Sequence, residues 1–111
     1  MSETPIDFQH LSRQTDGDRD LENELLALFA EQCLLHLRTI AGEGAAAPRR
    51  DAAHTLRGAA QAVGAWQVAE AAATVEGQLA TAPVTTAAAL AALGRAIDAA
   101  HAAIMHRDSG G

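Results

Sequence analysis

The sequence predicts an all-α protein: an antiparallel four-helix bundle with a short additional helix at its N-terminus. Three observations carry this. Apolar residues recur at helical spacing in four long stretches. No segment alternates with period two in β-branched residues. The stretches are separated only by short clusters of Gly, Pro, Thr and Asp. At 111 residues a single domain spanning the whole chain is expected, able to bury roughly 60–70% of its unfolded surface without staples.

Residues 1–6 read as a loose tail. Asp7 is placed to cap a short helix carrying Phe8 and Leu11. Thr15-Asp-Gly-Asp18 is a turn cluster that offers Asp16 or Asp18 as the next N-cap. The second helix runs from about Arg19 to Ile40, with Leu25, Leu26, Phe29, Cys33, Leu37 and Ile40 as its core stripe. Leu28 and Leu35 lie off that stripe, and Leu21 is close to the same line. Either this helix is wrapped on several sides, or these leucines form an exposed patch for a partner.

Gly42 to Ala47 connect to the third helix, where Pro48 suits the first turn. Its central part, Arg50 to Gly64, places Ala52, Leu56, Ala59, Ala60 and Val63 on one face at about 100° per residue. A further helix over Ala65–Leu79 carries Val68, Ala72, Val75 and Leu79, with Trp66 expected to plug one end of the core. Thr81-Ala-Pro83 is a turn. The last helix, from about Thr85 to Met105, shows Leu90, Leu93, Ile97, Ala100 and Ile104. Residues 108–111 read as a frayed end.

Composition excludes several classes. All eight basic residues are Arg, and the net charge is −6, which argues against a nucleic-acid surface. One cysteine cannot form an internal disulfide. The acidic N-terminus is unlike a secretory signal. The longest uncharged run, Gly77–Gly94, is too weakly apolar to suggest a membrane span. A cytoplasmic protein is the plain expectation. His10, His36, His101 and His106 lack the spacing that puts two ligands on one helix face, so no metal site is expected. His101 borders its helix's apolar stripe and is expected to be partly buried; Cys33 is expected to be an inert core residue.

The informative stretch is the third helix. His54 falls at the centre of its solvent face, with Arg50 one turn before, Arg57 and Gly58 one turn after, and Gln61 two turns after. A helical Gly costs about 1 kcal/mol relative to Ala, and here it removes a side chain beside an exposed imidazole. An imidazole is a nucleophile near neutral pH through one ring nitrogen. Nearby guanidinium groups suit phosphate oxygens. No carboxylate of the same helix sits squarely with His54; Asp51, at i−3, is the nearest.

The run Ala53-His-Thr-Leu-Arg-Gly-Ala-Ala-Gln-Ala-Val-Gly-Ala65 resembles the signature of histidine-containing phosphotransfer (HPt) domains. His54, Leu56, Arg57, Gly58, Ala59, Ala60, Val63 and Gly64 match it in order. The Thr-Asp-Gly-Asp turn before Leu25–Phe29 and the Val68…Val75-Glu76…Leu79 run look similar to the family as well. Two departures from it stand out: Arg57 stands where Lys is more usual, and Ala59 and Ala60 stand where Ser often occurs. The resemblance implies a phosphocarrier rather than an autonomous enzyme. His54 would accept a phosphoryl group from a receiver-domain aspartate and pass it to another receiver. Response-regulator receiver domains and a hybrid histidine kinase would be its partners, and the receivers would supply Mg²⁺, so that the chain needs no cofactor of its own. Leu28 and Leu35 would be docking candidates on a monomer. The competing expectations are a helical adaptor without phosphoryl chemistry and a dimeric bundle packed along Leu21, Leu28 and Leu35.

Overall fold

The computed structural model describes residues 4–82 and 84–109. Five helices follow one another: α1 (Phe8–Thr15), α2 (Arg19–Ala41), α3 (Ala46–Val63), α4 (Trp66–Thr81) and α5 (Ala87–Ser109), with no strand among the described residues. The all-α bundle is therefore as the periodicity predicts. α2 packs on α3, α3 on α4, α4 on α5, and α5 returns to α2, closing a ring; α1 rests against α2 and α3. The α3–α4 interface is the most extensive. Ala52, Ala53 and Ala60 of α3, with Ala69 and Ala72 of α4, are buried, and such small side chains let two helix axes approach closely.

The helix ends follow local chemistry. The Asp7 side chain accepts from His10 N at 3.1 Å and starts α1. Of the two aspartates offered for α2, Asp18 is the cap, accepting from Leu21 N at 3.1 Å. Asp16 instead ends α1 in the left-handed region at φ 55. α3 begins at Ala46, and Pro48 lies in its first turn, where a missing N–H costs nothing. It ends at Gly64, φ 81, with Ala65 N donating to Ala60 O at 2.8 Å and Gly64 N to Gln61 O at 3.3 Å. This is a Schellman closure, which turns the chain directly into α4.

The core comprises Leu26, Phe29, Cys33 and Ile40 of α2, Leu56 and Val63 of α3, Val68, Val75 and Leu79 of α4, and Leu93, Ile97 and Ile104 of α5. Leu25, Leu37, Ala59 and Leu90 pack partly buried at its margin. Burial pushes the Cys33 thiol up to about 12. His101 is half-buried, with its Nε2 enclosed. By length and composition Ala87–Arg107 of α5 is long and apolar enough to cross a membrane, at a mean hydropathy of 1.3. The sequence reading of Gly77–Gly94 gave no span. The α5 ridge Leu93, Ile97 and Ala100 is buried in the bundle, and Arg95 and Asp98 interrupt the stretch.

Three expectations about the ends are corrected. Ile6, assigned to the loose tail, is 1% exposed. Asp7 N donates to Gly64 O at 2.9 Å and draws this segment onto the α3–α4 turn. Trp66 does not plug the core: it is 43% exposed, donates from Nε1 to Asp7 Oδ2 at 3.2 Å and meets the His10 ring edge-on at 4.8 Å. It clasps α1 from outside, while Ile6 and Leu11 fill the space beneath. α5 runs on to Ser109, two residues into the stretch expected to fray. Its Arg107 pairs with the buried Glu22 of α2 and lies 5.0 Å over the Phe8 ring. Thr15 Oγ1 also donates to Glu22, at 3.0 Å. Residues 1–3, Pro83 and residues 110–111, where loose ends and a turn are expected, lie outside the described residues.

Candidate functional site

His54 stands on the outer face of α3, its side chain 63% exposed. The core face of α3 is fixed by Ala52, Ala53, Leu56 and Ala60, and the helical period then turns residue 54 outward. One edge of the ring is nonetheless tied to the protein. Nδ1 lies 2.9 Å from Glu76 Oε2 of α4. Arg57 Nη1 lies 3.2 Å from Glu76 Oε1, and Arg57 Nη2 lies 3.3 Å from His54 Nδ1.

The tautomer follows from the donor inventory. An ionised carboxylate only accepts. An unprotonated Nδ1 would set its lone pair against those of Oε2 at 2.9 Å. Nδ1 therefore carries the proton and donates to Glu76. The Arg57 Nη2 contact is then charge proximity rather than a hydrogen bond. The free lone pair of the imidazole resides on Nε2, at the edge of the ring that the protein does not hold.

The structure brings together two of the sequence-derived residues, His54 and Arg57. Gly58 is exposed beside them, and a Cβ built there meets nothing within 4 Å. The bundle itself does not need this glycine, so its helical cost is not repaid by packing. Arg50 and Gln61 are exposed. Among the described residues neither contacts the imidazole, and Arg50 makes no ion pair. The carboxylate at the ring is not Asp51 but Glu76, which the reading of a single helix overlooks.

Leu28 and Leu35 are 50% and 57% exposed, so α2 is not wrapped on that side and these leucines lie on its surface. Leu28 lines a shallow groove of about 150 Å³ between α2 and α3, with Leu25, Gln32, Ala59 and Ala62. Leu35 continues the exposed line but does not line the groove. On the α3 side of the groove Ala62 lies one turn along the helix from Gly58, and in projection Gly58 falls between Ala62 and His54. No group of three or more metal-ligating side chains occurs among the described residues.

On the outer face of this ring of long helices His54 stands exposed, with its Nδ1 against the Glu76 carboxylate. The Hpt domain family model matches residues 24–104, and the chain belongs to this family. No curated protein and no solved structure matches it significantly. Family membership gives the chain a histidine phosphotransfer role in a phosphorelay, among domains that engage receiver domains and kinases of two-component systems.

Proposed function

We propose that His54 is the phosphoryl carrier of a multistep relay, taking the group on Nε2 from an aspartyl phosphate of one receiver domain and delivering it to the aspartate of another. The observation that carries this reading is the Nδ1–Glu76 contact at 2.9 Å on a ring 63% exposed. It leaves a nucleophilic nitrogen facing outward, where a second protein can meet it. Arg57 and Arg50 supply positive charge for the phosphoryl oxygens, with Gln61 a further polar group on the same face. Gly58 provides the clearance.

A receiver docks over Gly58 and places an apolar side chain in the groove beside Leu28, with Leu35 extending the contact. It brings the Mg²⁺ that neutralises the transferring group, and the chain contributes no cofactor. A hybrid histidine kinase feeds the relay, and the chain works as a monomer in the cytoplasm.

The test is incubation with a phosphorylated receiver. The parent chain gains acid-labile phosphate, and His54→Gln gains none while keeping its helical circular dichroism. Phosphate retained on the His54→Gln chain would remove His54 from the role.

A further inference from the structure

The geometry points to the groove between α2 and α5 as a binding site for a small apolar molecule that carries one hydroxyl group and no negative charge. This site goes beyond the carrier reading and does not depend on it. It occupies the seam of the ring opposite the α3–α4 seam, where His54 meets Glu76.

Two helices build the site. Ala30, Glu31 and Leu34 of α2 and His101, Ile104 and Met105 of α5 line a cavity of about 230 Å³. Of the four seams that close the ring, α2–α5 is the lightest, which leaves this space between the helices. Ile104 is buried, whereas Leu34 and Met105 are 54% and 70% exposed. The groove therefore has an apolar floor and two apolar lips, and covering them removes apolar surface from water. Pockets for drug-sized ligands measure about 300–1,000 Å³, so this smaller space suits a single ring.

The polar groups at the groove set the ligand class. His101 is half-buried, and its Nε2 is enclosed without a hydrogen-bond partner. A buried polar atom calls for a partner, and among the described residues the bundle supplies none. A hydroxyl group both donates and accepts, so it satisfies Nε2 whichever ring nitrogen carries the proton. Met105 follows His101 by one turn on the same face of α5. Its unbranched chain re-packs readily, so the wall of the groove beside His101 is adaptable. Glu31 is exposed at the groove and forms no ion pair among the described residues. Its negative charge disfavours a carboxylate or phosphate there.

Three probes of one shape test this on the full chain. Toluene, p-cresol and 4-methylbenzoate share a methylated ring and differ in carrying nothing, a hydroxyl or a carboxylate. Each is titrated while the His101 ring nitrogens and the Met105 methyl group are followed by nuclear magnetic resonance. p-Cresol is expected to give saturable shifts at both residues, with half-saturation at about 1–10 mM. Toluene and 4-methylbenzoate are expected to bind at least about tenfold more weakly, the one for want of the hydrogen bond and the other through repulsion by Glu31. His101→Phe keeps a ring at the position and is expected to lower p-cresol to the affinity of toluene, read at Met105. The three probes on the parent chain decide the matter even where His101→Phe fails to fold. Absence of saturable shifts with p-cresol overturns the site. Equal binding of p-cresol and toluene overturns the role of His101, and equal binding of p-cresol and 4-methylbenzoate that of Glu31; either removes the ligand class proposed. None of these results bears on phosphate at His54, so the carrier reading stands or falls by its own test.

Discussion

His54 and Glu76 meet across the α3–α4 hairpin because each lies eleven positions from Ala65 in the turn. Both therefore sit about 16 Å from the bend along their own helix. The Schellman closure at Gly64 sets that register, and the 2.9 Å contact is its consequence. The reactive edge of the imidazole is thus determined by a turn well away from it. A residue inserted within α4 between the turn and Glu76 would move Glu76 by about 1.5 Å and 100° along its helix and take it off the ring.

Arg57 spans Glu76 and His54 with the two arms of one guanidinium. Its side chain is 36% exposed, and pairs at that exposure contribute under about 1 kcal/mol. Arg57→Ala is therefore expected to unfold within a few degrees of the parent by calorimetry, yet to accept phosphate about tenfold more slowly, because it loses charge at the phosphoryl oxygens and a support of Glu76. A variant that lost stability and transfer in proportion would make Arg57 a structural residue only.

Gly58 and Gly64 predict opposite outcomes for the same substitution. At Gly58 the added Cβ meets nothing within 4 Å, so Gly58→Ala is expected to stabilise the chain by about 0.5–1 kcal/mol in urea titrations. Gly58→Leu should fold as well and slow transfer from a receiver, because the bulk falls on the approach to His54. At Gly64, φ is +81 and a Cβ would stand 2.8 Å from Asp7 O. Gly64→Ala therefore combines backbone strain with a clash against a backbone atom, and about 1–3 kcal/mol of destabilisation is expected. Equal shifts for the two alanine variants would contradict the assignment of one glycine to the partner and the other to the fold.

The helices and their core stripes were legible because burial on one side of a helix writes a 3.6-residue period into the sequence. His54, Arg57 and Gly58 were legible for the converse reason, since polar and small residues interrupt that period at one point. Glu76 was not, because a projection of one helix cannot show what a neighbour contributes. The signal existed, however: counting outward from Ala65 reaches His54 and Glu76 together, eleven positions along each helix. The docking of α1 carried no comparable signal. It rests on Asp7 with Trp66, 59 positions apart, and on Thr15 and Phe8 against the Glu22–Arg107 pair, whose members are 85 apart. Single polar pairs at such separations leave no periodicity. Trp66 was misassigned because a lone large aromatic suggests the core, whereas its N–H had an exposed carboxylate to bond.

Leu28 and Leu34 supply a matched pair for locating the partner surface. They are similarly exposed, at 50% and 54%, but line different grooves. Leu28 lies between α2 and α3, whereas Leu34 lies with His101 and Met105 between α2 and α5. Charging either should alter stability little, because neither is buried. Leu28→Asp is expected to weaken receiver binding by about tenfold or more in calorimetric titration, and Leu34→Asp is expected to leave it unchanged. The reverse pattern would move the docking surface to the far side of α2.

Acid should release α1 before it melts the bundle. Asp7 lies below its ordinary value of 3.8, first because His10 N–H donates to it and then because Trp66 Nε1 does. Glu22 lies below 4.5, chiefly through Arg107 and secondarily through Thr15. Both carboxylates bind protons more weakly in the folded chain than in the unfolded one. Their contribution to stability is therefore complete above the ordinary carboxylate range and is lost as pH falls through the lowered values. The single Trp66 reports the event directly, because its indole N–H is bonded to Asp7. A fluorescence change is expected below about pH 4, while far-ultraviolet circular dichroism still shows α2 to α5 intact. His10→Gln should retain this step, since it removes the ring edge against Trp66 and leaves both carboxylates in place. Glu22→Gln should weaken the step and cost about 3 kcal/mol at neutral pH, because it strands the largely buried Arg107 without its counter-charge. Loss of fluorescence and helicity in one transition would show instead that α1 unfolds only together with the bundle.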